Sequence, residues 1–545
     1  MSGAIRGLTM DCQLTIPAIA RRAEAIAPDR AVVARQVDGT LWRGSWSSVL
    51  DGARRLAVAL EGLGVGPGDR VATLCWNQRE HLEAYFGVPA LGAVLHTLNT
   101  RVSADDLAFM IADAGARTLI VDDSLLGLLA DVRPRVELDR LIVVGDAVSD
   151  GALRYDELTA AADPARFAER DIDERDACAL CYTSGTTGRP KGVLYSHRAI
   201  AIQSLATMAV DFGGVREADT ILVVVPMFHG NAWGHPYAAA LAGAGLVLPH
   251  RDLAPRSLLE LIAGEGVTVT GGVPTVWTDV LGELDAAPGG HDVSSLRVLR
   301  IGGARAPMEL LRGLEERHGI PVLAGFGMTE MSPIGGISTL PHALASLPAE
   351  ERWAERARTG RPMPFMEVRV RGEEGLAAWD GETAGELEYR GPSVASGYWR
   401  GRDPETFTDD GWLRSGDIGV VTPHGVIDIR DRAKDVIKSG GEWISSVALE
   451  QALVTHPQVA DAAVVAIAHP RWQERPLAAV VLAPGARLDA AALRAHLEGR
   501  VPRWWLPDRF EAVTEIPRTA VGKIRKNVLR DRLAAAGHDR GEETA

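Results

Sequence analysis

The chain has 545 residues, more than one ordinary hydrophobic core accommodates, so several subdomains are expected. Its hydrophobic content of 46% and a mean hydropathy near zero are those of a globular protein and exclude a disordered or fibrous one. A net charge of −14 without a long basic run argues against nucleic-acid binding, while leaving room for local positive pockets that hold phosphate.

The first segment, MSGAIRGLTMDCQLTIPAIARR, is broken by charged and polar residues, so no secretion signal is expected. Apolar residues at helical spacing follow in VLDGARRLAVAL (Val49 to Leu60), then a strand RVATLCW (Arg70 to Trp76) and a helical REHLEAYFGVPALG. The glycine-rich GLGVGPG between Gly62 and Gly68 does not have the GxGxxG spacing. It also follows a helix and precedes a strand, the reverse of dinucleotide-binding order, so a turn is expected there. Next come a strand VLHTL, a helix opened by Ser103 with Asp106 in capping-box spacing, and a strand TLIV. The alternation resumes with a strand ILVVV (Ile221 to Val225), a helix start at Ser257 and Glu260, strands in VTVTGGVP and RVLRIGG, a helix from Pro307 to about His318, and a strand PVLAGFG. This order predicts an α/β fold whose large N-terminal domain consists of doubly wound, mostly parallel sheets.

Beyond Leu387 short strands and turns dominate, and a charged DRAKD sits between apolar segments. We place a hinge linker at residues 431–434, separating residues 1–430 from a small C-terminal domain at residues 435–545. The most apolar stretch, Tyr237 to Pro249, is too short and glycine-rich to span a bilayer of about 30 Å. No transmembrane segment is expected, and membrane contact is limited to a peripheral kind. Four cysteines, Cys12, Cys75, Cys178 and Cys181, do not make a disulfide framework, which suits a reducing, cytoplasmic setting. Cys178 and Cys181 form a CxxC inside an apolar strand run, where positions three apart point to opposite faces, so buried thiols are expected rather than a redox or metal pair.

Right after that run the chain reads YTSGTTGRPKGV, from Tyr182 to Val193. Glycines let main-chain N–H groups approach an oxyanion closely, hydroxyls add donors, and Lys191 brings a mobile point charge, so the segment is suited to a phosphate chain. It does not match GxxxxGK[ST] and is not a Walker P-loop. GFGMTE (Gly325 to Glu330) ends a strand with an aromatic face, a hydroxyl and a carboxylate; SGD (Ser415 to Asp417) places an acid on a turn; GKIRK holds Lys523. Taken singly, Phe326 reads as core, Asp417 as a turn former and Lys523 as a surface charge. Together, an aromatic ring for a base, an acid for ribose hydroxyls, a carboxylate for Mg²⁺ and lysines for phosphates are the parts of an ATP site.

The set YTSGTTGRPKG, GFGMTE, SGD, DRAKDVIKSGG and PRTAVGK, in this order over residues 30–532, resembles the adenylate-forming superfamily of acyl-CoA synthetases, peptide-synthetase adenylation domains and luciferases. PMFHGNAWG and IKSGGEWISS look most like the long-chain fatty acyl-CoA synthetases. The resemblance implies a β-barrel-like subdomain beside the wound sheets and a small, mobile α+β C-terminal domain. It implies a two-step reaction in which a carboxylate attacks the α-phosphorus of ATP, and the thiol of coenzyme A then displaces AMP from the acyl-adenylate.

By this resemblance Thr183, Ser184, Gly185, Thr186, Thr187, Gly188 and Lys191 hold the β- and γ-phosphates, Thr183 and Glu330 lie near Mg²⁺, and Thr329 lies near the α-phosphate. Gly302, Gly303 and Ala304 line the adenine pocket, with Gly325 and Phe326 carrying the stacking ring. Asp417 accepts from the ribose hydroxyls and Arg432 approaches the same sugar. Lys523 reaches the developing negative charge during adenylation, and Lys434 is the pivot on which the C-terminal domain turns for the second step. Gly440 and Gly441 then border the pantetheine tunnel, while Lys438 and Trp443 touch the adenylate. Phe326 stands where tyrosine is commoner; Ala324 and Arg305 also depart from the closest relatives, and Arg305 is expected to alter the acid pocket.

Where peptide-synthetase domains carry an aspartate for the substrate ammonium, this chain has Phe228, His229, Gly230 and Asn231, which disfavours an amino acid. Met227, Phe228, Ala232 and Trp233 suggest an apolar acyl channel with Trp233 as its gate, although Trp233 as simple packing reads equally well. His229 is either a residue that swings aside for the thiol or a hydrogen-bonded wall; a pH–rate profile unchanged in His229→Ala favours the wall. The expected partners are a medium- or long-chain fatty acid, ATP and CoA, with no nucleic acid, and the resemblance leaves a homodimer open. The alternatives are a ligase for short, medium or methylthio-acids, a nucleotide-binding protein that has lost catalysis and, more remotely, a luciferase-type oxidation.

Overall fold

The computed structural model describes residues 7–147, 151–183, 189–439, 442–518 and 524–535. They fall into two compact units: residues 1–182, 192–270 and 329–333 form the first, and residues 183–191, 271–328 and 334–545 the second. Among the described residues, no helix is long and apolar enough to cross a membrane.

In the first unit a seven-stranded sheet runs in the order Leu153–Arg154, Arg140–Val144, Thr118–Asp122, Arg70–Leu74, Val94–Thr97, Ala177–Tyr182, Gly192–Ser196. All neighbours are parallel except the last pair, an antiparallel hairpin. The strands Val94–Thr97 and Thr118–Asp122 are buried at every position, as strands covered on both faces must be, which explains their unbroken apolar runs. Both CxxC thiols lie inside this sheet and are free: Cys178 donates to the Tyr195 carbonyl and Cys181 to Asn231 Oδ1. Burial pushes the Cys181 thiol up to about 11 and Cys178 higher still, so neither is a thiolate. A second set of strands joins Val269 and Thr270, Thr220–Leu222, Gly245–Leu248 and Ala31–Arg35 in parallel, with Leu41–Ser45 added antiparallel.

In the second unit Val298–Ile301 and Val322–Gly327 are parallel, continued by antiparallel Ile334–Ile337 and Arg361–Pro362. The expected barrel-like subdomain is a five-stranded antiparallel sheet in the order Gly375–Leu376, Glu367–Gly372, Gly385–Arg390, Leu413–Val421, Ile427–Arg432. A further sheet, Glu442–Ile444, Ile437–Ser439, Gln473–Leu482 and Val459–His469 with Arg509–Ala512 alongside Gln473–Leu482, forms the α+β part at the C-terminal end. Its strands alternate strictly: Ala462, Val464, Ala478 and Val480 enter one core with Leu449 and Leu493, whereas Ala463, Val465, Leu477 and Ala479 enter another with Ile516 and Leu529.

Three sequence expectations are corrected. The helix expected to start at Ser257 starts at Pro255, with Ala254 as its N-cap, because proline presets the first-turn φ; the Ser257 hydroxyl instead accepts from Arg35. The strand expected over Ile221 to Val225 ends at Leu222. The Val223 amide still bonds Val247, but the Val223 and Val225 carbonyls accept from the Asn77 amide at 2.7 and 2.9 Å. The helix expected from Pro307 to His318 is α-helical only over Met308–Arg312 and widens into a π turn over Gly313–Arg317. At Ser103 the helix cap is present: its hydroxyl accepts from the Asp106 amide and donates to the Asp106 carboxylate.

Near residue 431 the chain is held by a buried polar network. Asp431, 3% exposed, accepts from the Ser446 amide and hydroxyl at 2.6 Å each, and Lys526, 6% exposed, pairs with Glu450 at 2.7 Å and bonds the Ser446 hydroxyl. Glu450 also accepts from the Val464 amide. Breaking such a pair strands a charge in the interior, so Lys526→Met is expected to destabilise by about 3–5 kcal/mol, with much of the loss recovered by adding Glu450→Leu. Urea unfolding of the single and double variants checks this.

Candidate active site

The loop singled out in the sequence is the connection of the hairpin between Ala177–Tyr182 and Gly192–Ser196. Its neck is closed by the Thr183 amide on the Lys191 carbonyl at 2.9 Å and the Lys191 amide on the Thr183 hydroxyl at 3.2 Å. Ser184, Gly185, Thr186, Thr187 and Gly188 lie outside the described residues, as do Gly440, Gly441 and Lys523. The Lys191 ammonium pairs with Asp403 and sits 4.9 Å from the centroid of the Tyr398 ring. Asp403, which holds that charge from a left-handed backbone position at φ 42°, was not identified from the sequence. A carboxylate before Pro404 reads locally as an ordinary turn residue.

Gly302 and Gly303 follow the strand Val298–Ile301, whose Ile301 is in register with Ala324, so the glycine turn emerges beside Gly325 and Phe326. The Gly302 amide donates to Gly272 at 3.2 Å, and Gly303 takes φ 82°, which favours glycine; Ala304 follows on the exposed side. Phe326 lies against the opposite strand at Gly336, where a Cβ would stand 2.6 Å from the ring and 2.2 Å from the Arg361 carbonyl. Only glycine leaves the ring this room. Tyr389 packs next to Phe326 with centroids 5.8 Å apart, and its fully buried phenol is raised well above the ordinary value by burial first and then by the Asp417 carboxylate. The stacking ring and the acid therefore flank one residue.

Asp417 and Arg432 are direct cross-strand partners, with Arg432 Nε 2.8 Å from the Asp417 carboxylate. The Ser415 hydroxyl fixes this turn, accepting from the Asp417 amide at 3.0 Å and donating to the Leu387 carbonyl at 2.6 Å. The Arg305 guanidinium lies 3.3 Å from both the Asp428 carboxylate and the Ile429 carbonyl. Lys434 is exposed, with its carbonyl accepting from Arg530. Lys438 and Trp443 are cross-strand neighbours, Lys438 exposed and Trp443 half-buried.

In the first unit Thr329 and the buried Glu330 form a short turn, and the Thr329 carbonyl accepts from the Tyr195 hydroxyl at 2.8 Å. Burial dominates the upward shift of the Tyr195 phenol, with the Cys181 thiol and the Glu330 carboxylate adding to it. The acyl segment is anchored at Asn77, whose side chain accepts from the Met227 amide at 2.7 Å and donates to the carbonyls of Val223 and Val225. Phe228 is buried, and its carbonyl accepts from Thr97 at 3.4 Å. His229 is half-buried and precedes five consecutive residues, Gly230 to Gly234, with φ between 48° and 72°. Trp233 is half-buried in this left-handed turn, its ring 6.5 Å from His235. Tyr195 and Asn77 escaped the sequence reading because each acts on a segment far along the chain.

Among the described residues no cluster of three or more His, Cys, Asp or Glu side chains forms a metal cage. Glu330 is a buried carboxylate, a donor type that suits Mg²⁺, a hard cation held by one or two protein oxygens and otherwise by substrate phosphates.

Comparison with known proteins matches the AMP-binding enzyme family over residues 20–399 and its C-terminal domain over residues 448–523. The long-chain-fatty-acid–CoA ligase of Thermus thermophilus is 45% identical over 96% of both chains. The 3-methylmercaptopropionyl-CoA ligase of Ruegeria pomeroyi is 41% identical over 91% of this chain and 93% of that one. An ATP-bound crystal structure of MatB from Rhodopseudomonas palustris superposes with a TM-score of 0.81 at 27% identity, covering 95% and 99% of the two chains. With these motifs at the strand ends, and with family matches across both parts of the chain, this protein belongs to the AMP-binding, adenylate-forming enzymes.

Proposed function

We propose that this enzyme is an ATP-dependent ligase that converts a fatty acid to its CoA thioester through an acyl-adenylate, releasing pyrophosphate and AMP. The observation that carries the reading is Tyr389, which has the Phe326 ring on one side and the Asp417 carboxylate acting on its phenol. An aromatic face for a base and an acid for ribose hydroxyls are thus set around one side chain, as a nucleoside requires. The similarity to the Thermus ligase supports a fatty acid as the substrate. The Ruegeria relative keeps a methylthio-acid as the second reading. The four cysteines carry free thiols, which supports the expected cytoplasmic setting.

The first step brings a carboxylate to a polyanion, so the residues must neutralise charge before bonds change. Lys191 and the Thr183–Gly188 loop take the β- and γ-phosphates, and Lys191 exchanges Asp403 for them. Thr183 and Glu330 are the residues expected to hold Mg²⁺, which when bound would shield the phosphates electrostatically. The Asp417 carboxylate orients the ribose and Arg432 supports it. Lys523 meets the charge that develops as pyrophosphate leaves, from a C-terminal domain that closes for adenylation and turns at Lys434 for thioester formation. Lys438, Trp443, Gly440 and Gly441 belong to the face used in that second orientation, where the CoA thiolate attacks the adenylate carbonyl and AMP departs.

The central experiment is purified protein with ATP, Mg²⁺, CoA and a panel of carboxylic acids, scored by AMP and thioester. Carboxylate-dependent AMP formation is expected; ATP binding without it would leave a nucleotide-binding protein that has lost catalysis. Lys523→Ala is expected to lower adenylation by about a hundredfold or more while still converting supplied acyl-adenylate to thioester. An equal fall in both half-reactions would remove Lys523 from this role. Tyr195→Phe deletes a single hydrogen bond to the Thr329 turn, worth about 0.5–1.5 kcal/mol, so pyrophosphate release at saturating ATP should fall about 2- to 10-fold.

A further inference from the structure

The left-handed turn Gly230 to Gly234 carries a polar feature that a purely apolar acyl channel does not need. Gln203, in the helix His197–Met208, is 1% exposed, and both its Nε2 and Oε1 are buried without a hydrogen-bond partner. Asn231, fully buried in the turn, spends its Oδ1 on the weak Cys181 thiol donor and leaves Nδ2 unpartnered. Both side chains converge on the turn: Asn231 is part of it, and Gln203 Oε1 lies 3.2 Å from where a Cβ of Gly234 would stand. Around them Met227, Phe228, Ala232 and Tyr237 are buried and apolar.

Each buried amide group left unsatisfied costs about 1–3 kcal/mol, so apolar side chains would make a more stable wall here. The backbone adds strain: Asn231, Ala232 and Trp233 hold φ of 48°, 53° and 55° in succession, a conformation that costs L-residues about 1–2 kcal/mol each. Strain and unmet hydrogen bonds kept together are characteristic of ligand clamps. The turn also lies against the segment that follows Glu330, because a Cβ on Gly230 would stand 2.8 Å from Pro333.

On the reading above, we propose that the acid activated by this enzyme carries a hydrogen-bonding oxygen, a hydroxy or oxo group, on one of its first few chain carbons, and that Gln203 and Asn231 are the residues that select it. Two amide N–H₂ groups and one amide oxygen match a hydroxyl, which accepts and donates, or an oxo group, which accepts. A thioether sulfur is too weak an acceptor to satisfy them, and an unsubstituted chain leaves all three groups unmet. A site built around a hydrogen bond rejects the analogue lacking it far more strongly than a greasy pocket rejects an extra methylene.

The test compares kcat/KM for AMP formation with hexanoate, 3-hydroxyhexanoate, 3-oxohexanoate and 3-methylthiopropanoate, in the wild type and in the near-isosteric Gln203→Met. We expect the wild type to favour at least one oxygenated acid about tenfold or more over hexanoate and the thioether acid, with the hydroxy and oxo arms showing which oxygen is read. Gln203→Met should cut that preference at least fivefold while retaining or raising the hexanoate rate. Its thermal midpoint without acid should be unchanged or higher, since the variant removes unmet polar groups; a purely structural glutamine would lower it. A wild-type preference below threefold, or one that survives in Gln203→Met, overturns the assignment. If Gln203→Met does not fold, the wild-type ratio alone decides. Absence of AMP with every acid would sink the ligase reading itself, whereas AMP from hexanoate without preference sinks only this one.

Discussion

Backbone that runs past the end of a strand loses its ladder partners, and the segments proposed to hold substrate are built from such backbone. Each is held by a side chain or a neck instead. The phosphate loop is closed by the reciprocal bonds of Thr183 and Lys191. The acyl segment after Leu222 hangs on the three hydrogen bonds of Asn77, and the Thr329 turn on the Tyr195 hydroxyl. Without these holds the same motifs would be loops of the right composition with no fixed geometry.

The charges follow a common pattern. Lys191 is matched by Asp403 and Arg432 by Asp417, so these positive groups in an acidic protein are compensated. Partly exposed pairs of this kind contribute about 0–1 kcal/mol, small enough for a triphosphate to displace. On the proposed reading, nucleotide binding exchanges one anion for another rather than desolvating a bare ammonium.

Much of this was legible in the sequence because it is local. A loop of glycines, hydroxyls and one lysine after an apolar strand stands out by composition, GFGMTE and SGD by order, and together they point to the family that the comparisons show. The alternation of wound strands and helices was equally plain, since burial on both faces enforces unbroken apolar runs. What escaped depends on distance along the chain: Asn77 acts on residues about 150 positions away and Tyr195 on one 134 positions away. Ser257 misled because its capping pattern was genuine but Pro255 fixed the helix start first. The contact of Arg305 with Asp428 was equally out of reach, since it joins residues over a hundred positions apart.

The network at residue 431 bears on how quickly the protein can change shape. Asp431 pairs with Ile418 in the strand next to the ribose acid, yet its carboxylate is bonded to Ser446, and through Ser446 and Lys526 it reaches the helix that begins three residues after Lys523. If the C-terminal domain swings at Lys434 as proposed, it must either carry Asp431 with it or tear out two buried hydrogen bonds. In that case the buried network is a latch on the proposed swing, and loosening it would change the exchange between half-reactions rather than the chemistry of either.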